Sequence, residues 1–326
     1  MILLGAGSAA ATLLRYVRDR ITRPTVLNMK SKATIASFSS SSHHLERTKT
    51  KPRSQFPFWA TIRKLWHITP TIRGIRLEID YDNFYDEGQH NKDRVADNAI
   101  FKKDAVFHFD PGQWVDFFIP GTKMVGGYSI VSLPSALPML DLAVKFSTHP
   151  PAEWITRTAK EGDRVGIKVG GDFVYDLPAE RASTKLLLIA GGIGINPLYS
   201  ILQHLLLVSS ASKIILLYSA KSADELAFRA EIHRLSLSHP DSLRVSFAVT
   251  GADVLAKHVQ HMKDGHCEVL QGRVSDELLT SSVEWLGGPE DVDVLVCGPP
   301  GMPESVQSRC VNVGISADRV RYEKWW

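Results

Sequence analysis

The stretch Leu186-Leu-Leu-Ile-Ala-Gly-Gly-Ile-Gly-Ile-Asn-Pro-Leu198 sets Gly191, Gly192 and Gly194 directly after an apolar run and just before Asn196 and Pro197. Glycine lets the backbone approach a ligand because no Cβ stands in the way. Asn196 is the expected N-cap of a helix and Pro197 its first helical residue. The free N–H groups and dipole of a helix N-terminus favour an anion, so Gly191, Gly192, Ile193, Gly194, Ile195 and Asn196 form a loop suited to a pyrophosphate, with Gly194 leaving it room. A second turn, Val296-Cys-Gly-Pro-Pro-Gly-Met302, is stiff and poor in donors, as suits the lining of a flat ring. Paired, the two turns read as a dinucleotide site with Cys297 at its floor and Gly298 and Pro299 beside it. The alternative for Cys297 is a small buried hydrophobe.

Elements able to position these turns follow from the rhythm of the chain. After Pro178, apolar strands are expected at Lys185–Ala190, Lys213–Ser219, Leu243–Val249 and Val292–Cys297, alternating with helices near Pro197–Val208, Asp224–Leu235 and Ser275–Leu286. That alternation implies a doubly wound parallel sheet, whose ligands bind at the carboxyl ends of strands. From Phe58 to Phe173, shorter strands at Ala60–His67, Ile72–Ile79, Gln113–Ile119, Tyr128–Ser132, Leu140–Phe146 and Arg164–Val169 suggest a small antiparallel barrel. Between Asp80 and His108 a polar, charge-mixed stretch reads as a surface insertion.

The 326 residues suffice for about two domains. The first 55 carry ten Lys/Arg against Asp19 and Glu46, whereas the remainder has 28 against 33 acids. A folded part with that balance repels a phosphate backbone, so nucleic acid is not expected as a partner. Cys267, Cys297 and Cys310 have no disulfide, zinc or iron–sulfur spacing. The Arg-rich, acid-poor leader with serines at Ser37 to Ser42 suits a mitochondrial transit peptide; a secretory signal or a basic tail on a cytoplasmic protein is the alternative. No apolar run approaches the ~20 residues of a transmembrane helix. The expected division is a leader over 1–50, a barrel over 56–180 and an α/β domain over 181–326.

Two further stretches, Phe109-Asp-Pro-Gly-Gln-Trp-Val-Asp-Phe-Phe-Ile-Pro-Gly121 and Val125-Gly-Gly-Tyr-Ser-Ile-Val-Ser132, join the Gly191 loop, Tyr218-Ser-Ala-Lys221, Asp224 to Phe228, the Cys-Gly-Pro-Pro turn and the closing Glu323-Lys-Trp-Trp326. With these motifs the chain, from about Phe58 to Trp326, resembles the ferredoxin-NADP-reductase-like flavin oxidoreductases. The resemblance implies an antiparallel flavin-binding β-barrel followed by a doubly wound nicotinamide-binding domain. It further implies hydride transfer from NAD(P)H to bound FAD and electron transfer to a separate, unidentified acceptor. Tyr128 would pack on the flavin and Ser129 would hydrogen-bond near the hydride-accepting nitrogen. Trp325 or Trp326 would stack over the ring, or instead anchor the last strand. Ser129, Cys297 and Trp326 are thus the residues expected at the reacting centre. The family places an arginine for flavin phosphate where this chain has Gly126, and a Gly and Ser/Thr where it has His149-Pro-Pro-Ala-Glu-Trp154; Lys123 and Lys145 are the nearby cations, and Glu153 would repel phosphate if turned inward. Ser219 and Lys221 stand where the family reads the coenzyme ribose, and lysine in place of arginine leans toward NADH. Asp224 is a second ribose contact or a helix-start residue. His258, His261, His266 and Cys267 lack a strict metal motif, and no metal is expected. The alternative function is a nicotinamide-binding regulatory or interaction protein that has lost flavin.

Overall fold

A computed structural model describes residues 43–84, 106–120, 122, 124–177, 184–209, 212–251 and 267–324. The first element is a short helix, α1 (His43–Arg47). It is followed by β1 (Phe58–Thr69), β2 (Ile72–Phe84), β3 (Trp114–Phe118), β4 (Val125–Ser129) and β5 (Met139–Lys145), then a helical turn α2 (Pro150–Glu153) and β6 (Arg164–Gly170). These strands form one antiparallel sheet in the order β4-β3-β6-β1-β2-β5. A bridge between Ile130 and Leu142 joins its two ends, backed by a 2.9 Å bond from the Val131 N–H to the Asp141 carbonyl, so the sheet closes into a barrel. Alternation along the strands turns Phe58, Ala60 and Ile62 of β1 inward, where they meet Leu77, Phe117, Leu140 and Ile167. Most of the segment expected as a surface insertion lies outside the described residues.

Strand β3 is buried along its whole length, and that includes Asp116, 1% exposed. A buried carboxylate requires partners, and it finds them in the segment ahead of the barrel. Oδ1 lies 2.8 Å from His44 Nε2, and Oδ2 accepts from Arg53 Nε at 2.7 Å. The Ser54 N–H donates to Val169 O and the Gly171 N–H to Pro52 O, at 2.8 and 3.0 Å, fastening the segment to the end of β6. Residues 43–50, expected to belong to the leader, are therefore part of the folded unit. The rest of the expected leader lies outside the described residues.

The second half holds β7 (Lys185–Gly191), α3 (Ile195–Val208), β8 (Lys213–Ala220), α4 (Arg229–Ser238), β9 (Leu243–Val249), β10 (Cys267–Gln271), α5 (Asp276–Trp285), β11 (Val292–Cys297), α6 (Met302–Asn312) and β12 (Val320–Glu323). All pairs in its sheet are parallel, in the order β10-β9-β8-β7-β11-β12. The strands are continuous apolar runs because both faces are covered: Leu186, Leu188 and Ala190 pack on the α3 side, Leu187 and Ile189 on the side of α5 and α6. Three elements go beyond the expectation, namely β10, α6 and β12. One helix starts later than expected, since Asp224 lies in a 3₁₀ turn, Ala223–Glu225, and α4 begins at Arg229. The winding reverses between β7 and β11, which opens a crevice at their carboxyl ends.

Barrel and α/β half share a core. Ile72, Val131 and Ala143 of the barrel side pack with Leu198, Ile201 and Leu202 of α3. Ser200 Oγ donates to Ser132 O at 3.2 Å and Gln203 Nε2 to Val131 O at 3.0 Å, so α3 is locked against the barrel along its length.

Candidate functional site

The crevice holds two neighbouring clefts. One, about 800 Å³, is lined by Gly191, Gly192, Ile193, Gly194, Ser219, Lys221, Cys297, Gly298, Pro299 and Arg273, among others. The other, about 740 Å³, lies between the barrel and the α/β half and takes in Tyr128, Ser129, Lys145, Ile193, Asn196 and Glu323. Ile193 and Lys145 line both, so the clefts meet there. Each volume suits a small-molecule site.

The first cleft is shaped by glycines at the ends of β7 and β11. A Cβ at Gly191 would lie 2.6 Å from the Met302 sulfur and 2.7 Å from Pro299, and one at Gly298 would lie 2.4 Å from the same sulfur. At Gly194 the Cβ would stand 2.2 Å from the Cys297 carbonyl oxygen, so this glycine keeps the two loops in contact. The expectation that Gly194 leaves room for a pyrophosphate is thus corrected: space is open at Gly192, which has φ +55° and nothing within 4 Å of a Cβ. Cys297 is fully buried at the floor of the cleft and belongs to the core. Ile195 is fully buried too and lines neither cleft; it is the first residue of α3. Four cations, Lys145, Lys221, Arg273 and Arg309, border this cleft; Lys145 pairs with Glu225, which also lines it, and Arg309 with Asp276. Arg273 and Arg309 were not singled out from the sequence. The signal for Arg273 is the Gly272-Arg273 step after β10, a strand itself too short to notice. Tyr218 is not in a cleft: its hydroxyl accepts from the Ala227 N–H at 3.0 Å and ties down the loop after β8.

Asn196 departs from its expected role. The residue ahead of the helix is Gly194, with Asn196 and Pro197 inside the first turn. Asn196 Nδ2 donates instead to Ala143 O of β5 at 2.8 Å, crossing to the barrel. A tertiary acceptor has outcompeted local capping. Its Oδ1 is buried without a hydrogen-bond partner, as is the Tyr128 hydroxyl. Two orphaned polar atoms at one cleft fit a ligand that carries both a donor and an acceptor.

In the second cleft, Ser129 is 5% exposed at the end of β4. The Tyr128 ring meets Phe117 edge-on at 5.8 Å and lies across Gly126, where a Cβ would come within 2.6 Å of it. Burial raises the Tyr128 hydroxyl well above its ordinary value, so it stays protonated and able to donate. Glu323, 4% exposed at the end of β12, is pushed up to about 7 by burial, against the pull of Lys51 and with Asp172 adding to the rise. Glu153 pairs with Arg157 at 3.6 Å and does not line the cleft. Lys145 is held 3.3 Å from Glu225. Trp325, Trp326, Lys123, His258, His261 and His266 lie outside the described residues.

An antiparallel barrel before a doubly wound sheet, with a crevice between them, defines a ferredoxin-reductase-like oxidoreductase fold. Solved structures agree on that fold: a cytochrome P450 reductase from Amycolatopsis (TM-score 0.63, 20% identity, 84% of this chain and 70% of that one) and the flavohem-like FAD/NAD-binding domain of nitric oxide dioxygenase from Vibrio cholerae (TM-score 0.62, 20% identity, 83% and 99%). Residues 188–308 match the family model for the oxidoreductase NAD-binding domain. Oxidoreductase NAD-binding domain-containing protein 1 of Danio rerio is 34% identical over 296 residues, 87% of this chain and 97% of that protein, and the chain belongs to this family.

Proposed function

We propose that the chain is an NAD(P)H-dependent flavoprotein reductase that passes electrons to a separate acceptor. One observation carries the reading: the glycine-lined cleft at the switch point and the cleft on the barrel meet at Ile193 and Lys145. Two flat reactants held in those clefts have their reacting ends at one junction. The Gly191–Gly194 loop and the N-terminus of α3 suit the coenzyme diphosphate, and Pro299 with Gly298 suits the nicotinamide ring. The Tyr128 hydroxyl, Asn196 Oδ1 and Ser129 suit the polar edge of an isoalloxazine.

When bound, FAD supplies a two-electron acceptor for the hydride of the coenzyme and a donor to the next acceptor. The chain's own part is alignment and exclusion of water rather than acid–base chemistry. Ile193 presents an apolar side chain at the junction, and Asn196 holds α3 at a fixed distance from β5 through its bond to Ala143. Ser219, Lys221 and Arg273 line the glycine-rich cleft, and the carboxylate that lines it after β8, Glu225, is engaged by the Thr71 hydroxyl and Lys145. The charge of Lys221 and Arg273 favours a 2′-phosphate, so the coenzyme preference is assigned to NADPH rather than to the NADH that the lysine alone suggests.

The test is a visible spectrum of the purified full chain after incubation with FAD, followed by anaerobic addition of NADPH or NADH. Flavin bands that bleach are expected. A folded protein that binds coenzyme and takes up no flavin would instead support the regulatory reading, which the tyrosine ring lying over Gly126 favours. Mitochondrial import is part of the proposal, carried by the Arg-rich leader. Processing then falls ahead of His44, because that residue is fixed on Asp116; the N-terminal mass of the mature protein checks it.

A further inference from the structure

The double glycine of β4 and the segment ahead of the barrel fit together as one device. Gly126 lies under the Tyr128 ring, so an arginine there would have to displace the tyrosine. Gly127 lies under the imidazole of His44, where a Cβ would come within 2.0 Å of the ring. His44 is in turn fixed by Asp116 and stands edge-on to Trp114 at 5.0 Å. Arg53 reinforces the clamp: its guanidinium lies 4.9 Å from the Trp114 ring centre, donates to Asp116, and donates to Thr48 O at 2.7 Å. Thr48 Oγ1 donates back to His44 O at 2.9 Å. The segment is thus held as a strap across the paired strands β3 and β4, over Asp116 and Gly127.

The strap brings charge to the cleft. His44, Arg47, Thr48 and Lys51 all line the cleft that holds Tyr128 and Ser129. Residues three apart on a helix share a face, so docking His44 against β4 brings Arg47 to the same side. The cleft's other cations, Lys51, Lys145 and Lys324, are ammonium groups. The guanidinium among the residues lining this cleft is that of Arg47, and it is exposed. A guanidinium fork matches phosphate oxygens in a way that a lysine does not.

Resting on the flavoprotein reading above, we propose that the strap completes the flavin site, with Arg47 binding the flavin nucleotide's phosphate in place of an arginine on β4. The glycines at 126 and 127 then belong to the same arrangement: one seats Tyr128, the other seats His44.

The experiment is a titration of the full chain with FAD and, separately, with riboflavin, which has the ring and no phosphate, followed by flavin fluorescence. Arg47→Gln is expected to weaken FAD binding about tenfold or more and to leave riboflavin binding at the wild-type value. Lys49→Gln, on an exposed residue of the strap that pairs with Glu46, leaves both unchanged. Equal loss of FAD and riboflavin in Arg47→Gln would make Arg47 a structural residue and overturn the assignment, as would no loss of either. If the wild type bound neither flavin, the flavoprotein reading would fall and this inference with it; a wild type that binds FAD as tightly as Arg47→Gln overturns the inference alone. Thermal melting of the variant, expected to match wild type because the side chain is exposed, separates loss of affinity from loss of fold.

Discussion

Replacing Gly194 by alanine isolates one steric term at the heart of the crevice. Gly194 has φ −63° and ψ −8°, a conformation open to any residue, so the substitution introduces no backbone strain. The added methyl would stand 2.2 Å from Cys297 O, 2.5 Å from its carbonyl carbon and 2.8 Å from the Gly298 nitrogen. All three are backbone atoms at the end of β11, a strand paired on both sides, so no side chain can swing aside. The loops must part by about 1 Å to restore contact distance. Overpacking of this kind costs about 1–3 kcal/mol, and the reduced freedom of the unfolded chain returns roughly 0.5 kcal/mol. With the upper part of that range favoured by the rigid neighbours, a net loss of about 2 kcal/mol and a fall of about 4–8 °C in melting temperature follow. The same parting moves the Gly191–Gly194 loop against the Pro299 turn, so coenzyme affinity falls about tenfold or more. Gly192→Ala is the control for stability only: its methyl meets no protein atom and loses about 1 kcal/mol from positive φ alone, while it enters the space left for the diphosphate. Melting by circular dichroism and titration with NADPH fluorescence read both effects. If Gly194→Ala melts with the wild type and binds coenzyme equally well, the loop contact does not shape the site and the reasoning fails.

Burial raises Glu323 from 4.5 to about 7, so the native state holds a proton that the unfolded chain releases across that window. Stability from this group is present in acid and falls as pH rises from about 4.5 to 7, by about 3 kcal/mol at most; Glu323→Gln should flatten urea unfolding between pH 5 and 8, and an unchanged slope would contradict it. Joint replacement of Lys221 and Arg273 by alanine should weaken NADPH about tenfold or more while sparing NADH, measured by fluorescence titration; equal losses for the two coenzymes would remove the 2′-phosphate assignment. Asp116→Ala leaves the Arg53 charge without its buried partner, a loss of about 3–5 kcal/mol, and should open the strap to trypsin at Arg47 to Arg53. Continued protection of that segment would show that the carboxylate does not hold it.

The parts of the fold readable in the sequence are those whose signal is local. Leu186 to Ala190 is a continuous apolar run ended by glycines, and it forms the central strand of the sheet with the loop where expected. Edge strands were not readable: β12 is four residues, with Arg321 and Tyr322 exposed, so it shows no apolar run. Long-range competition defeats local rules elsewhere. Asn196 has the look of a cap, yet its amide finds Ala143 on another element, 53 residues away. The residues at 43–50 read as a leader because their composition is basic, and nothing near them in sequence announces Asp116, 72 residues beyond His44. Gly126 and Gly127 are visible as departures from a family pattern, but their reason is steric and appears only once the Tyr128 and His44 rings are in place.

The proposed meeting of the two clefts at Ile193 and Lys145 is tested most directly by anaerobic bleaching of the FAD-loaded chain with coenzyme deuterated at one or the other face of nicotinamide C4. Direct transfer across a fixed junction predicts that deuterium on one face slows bleaching and deuterium on the other does not. Bleaching that is indifferent to both labels, or no bleaching in a protein that holds both molecules, would contradict a hydride path through this crevice.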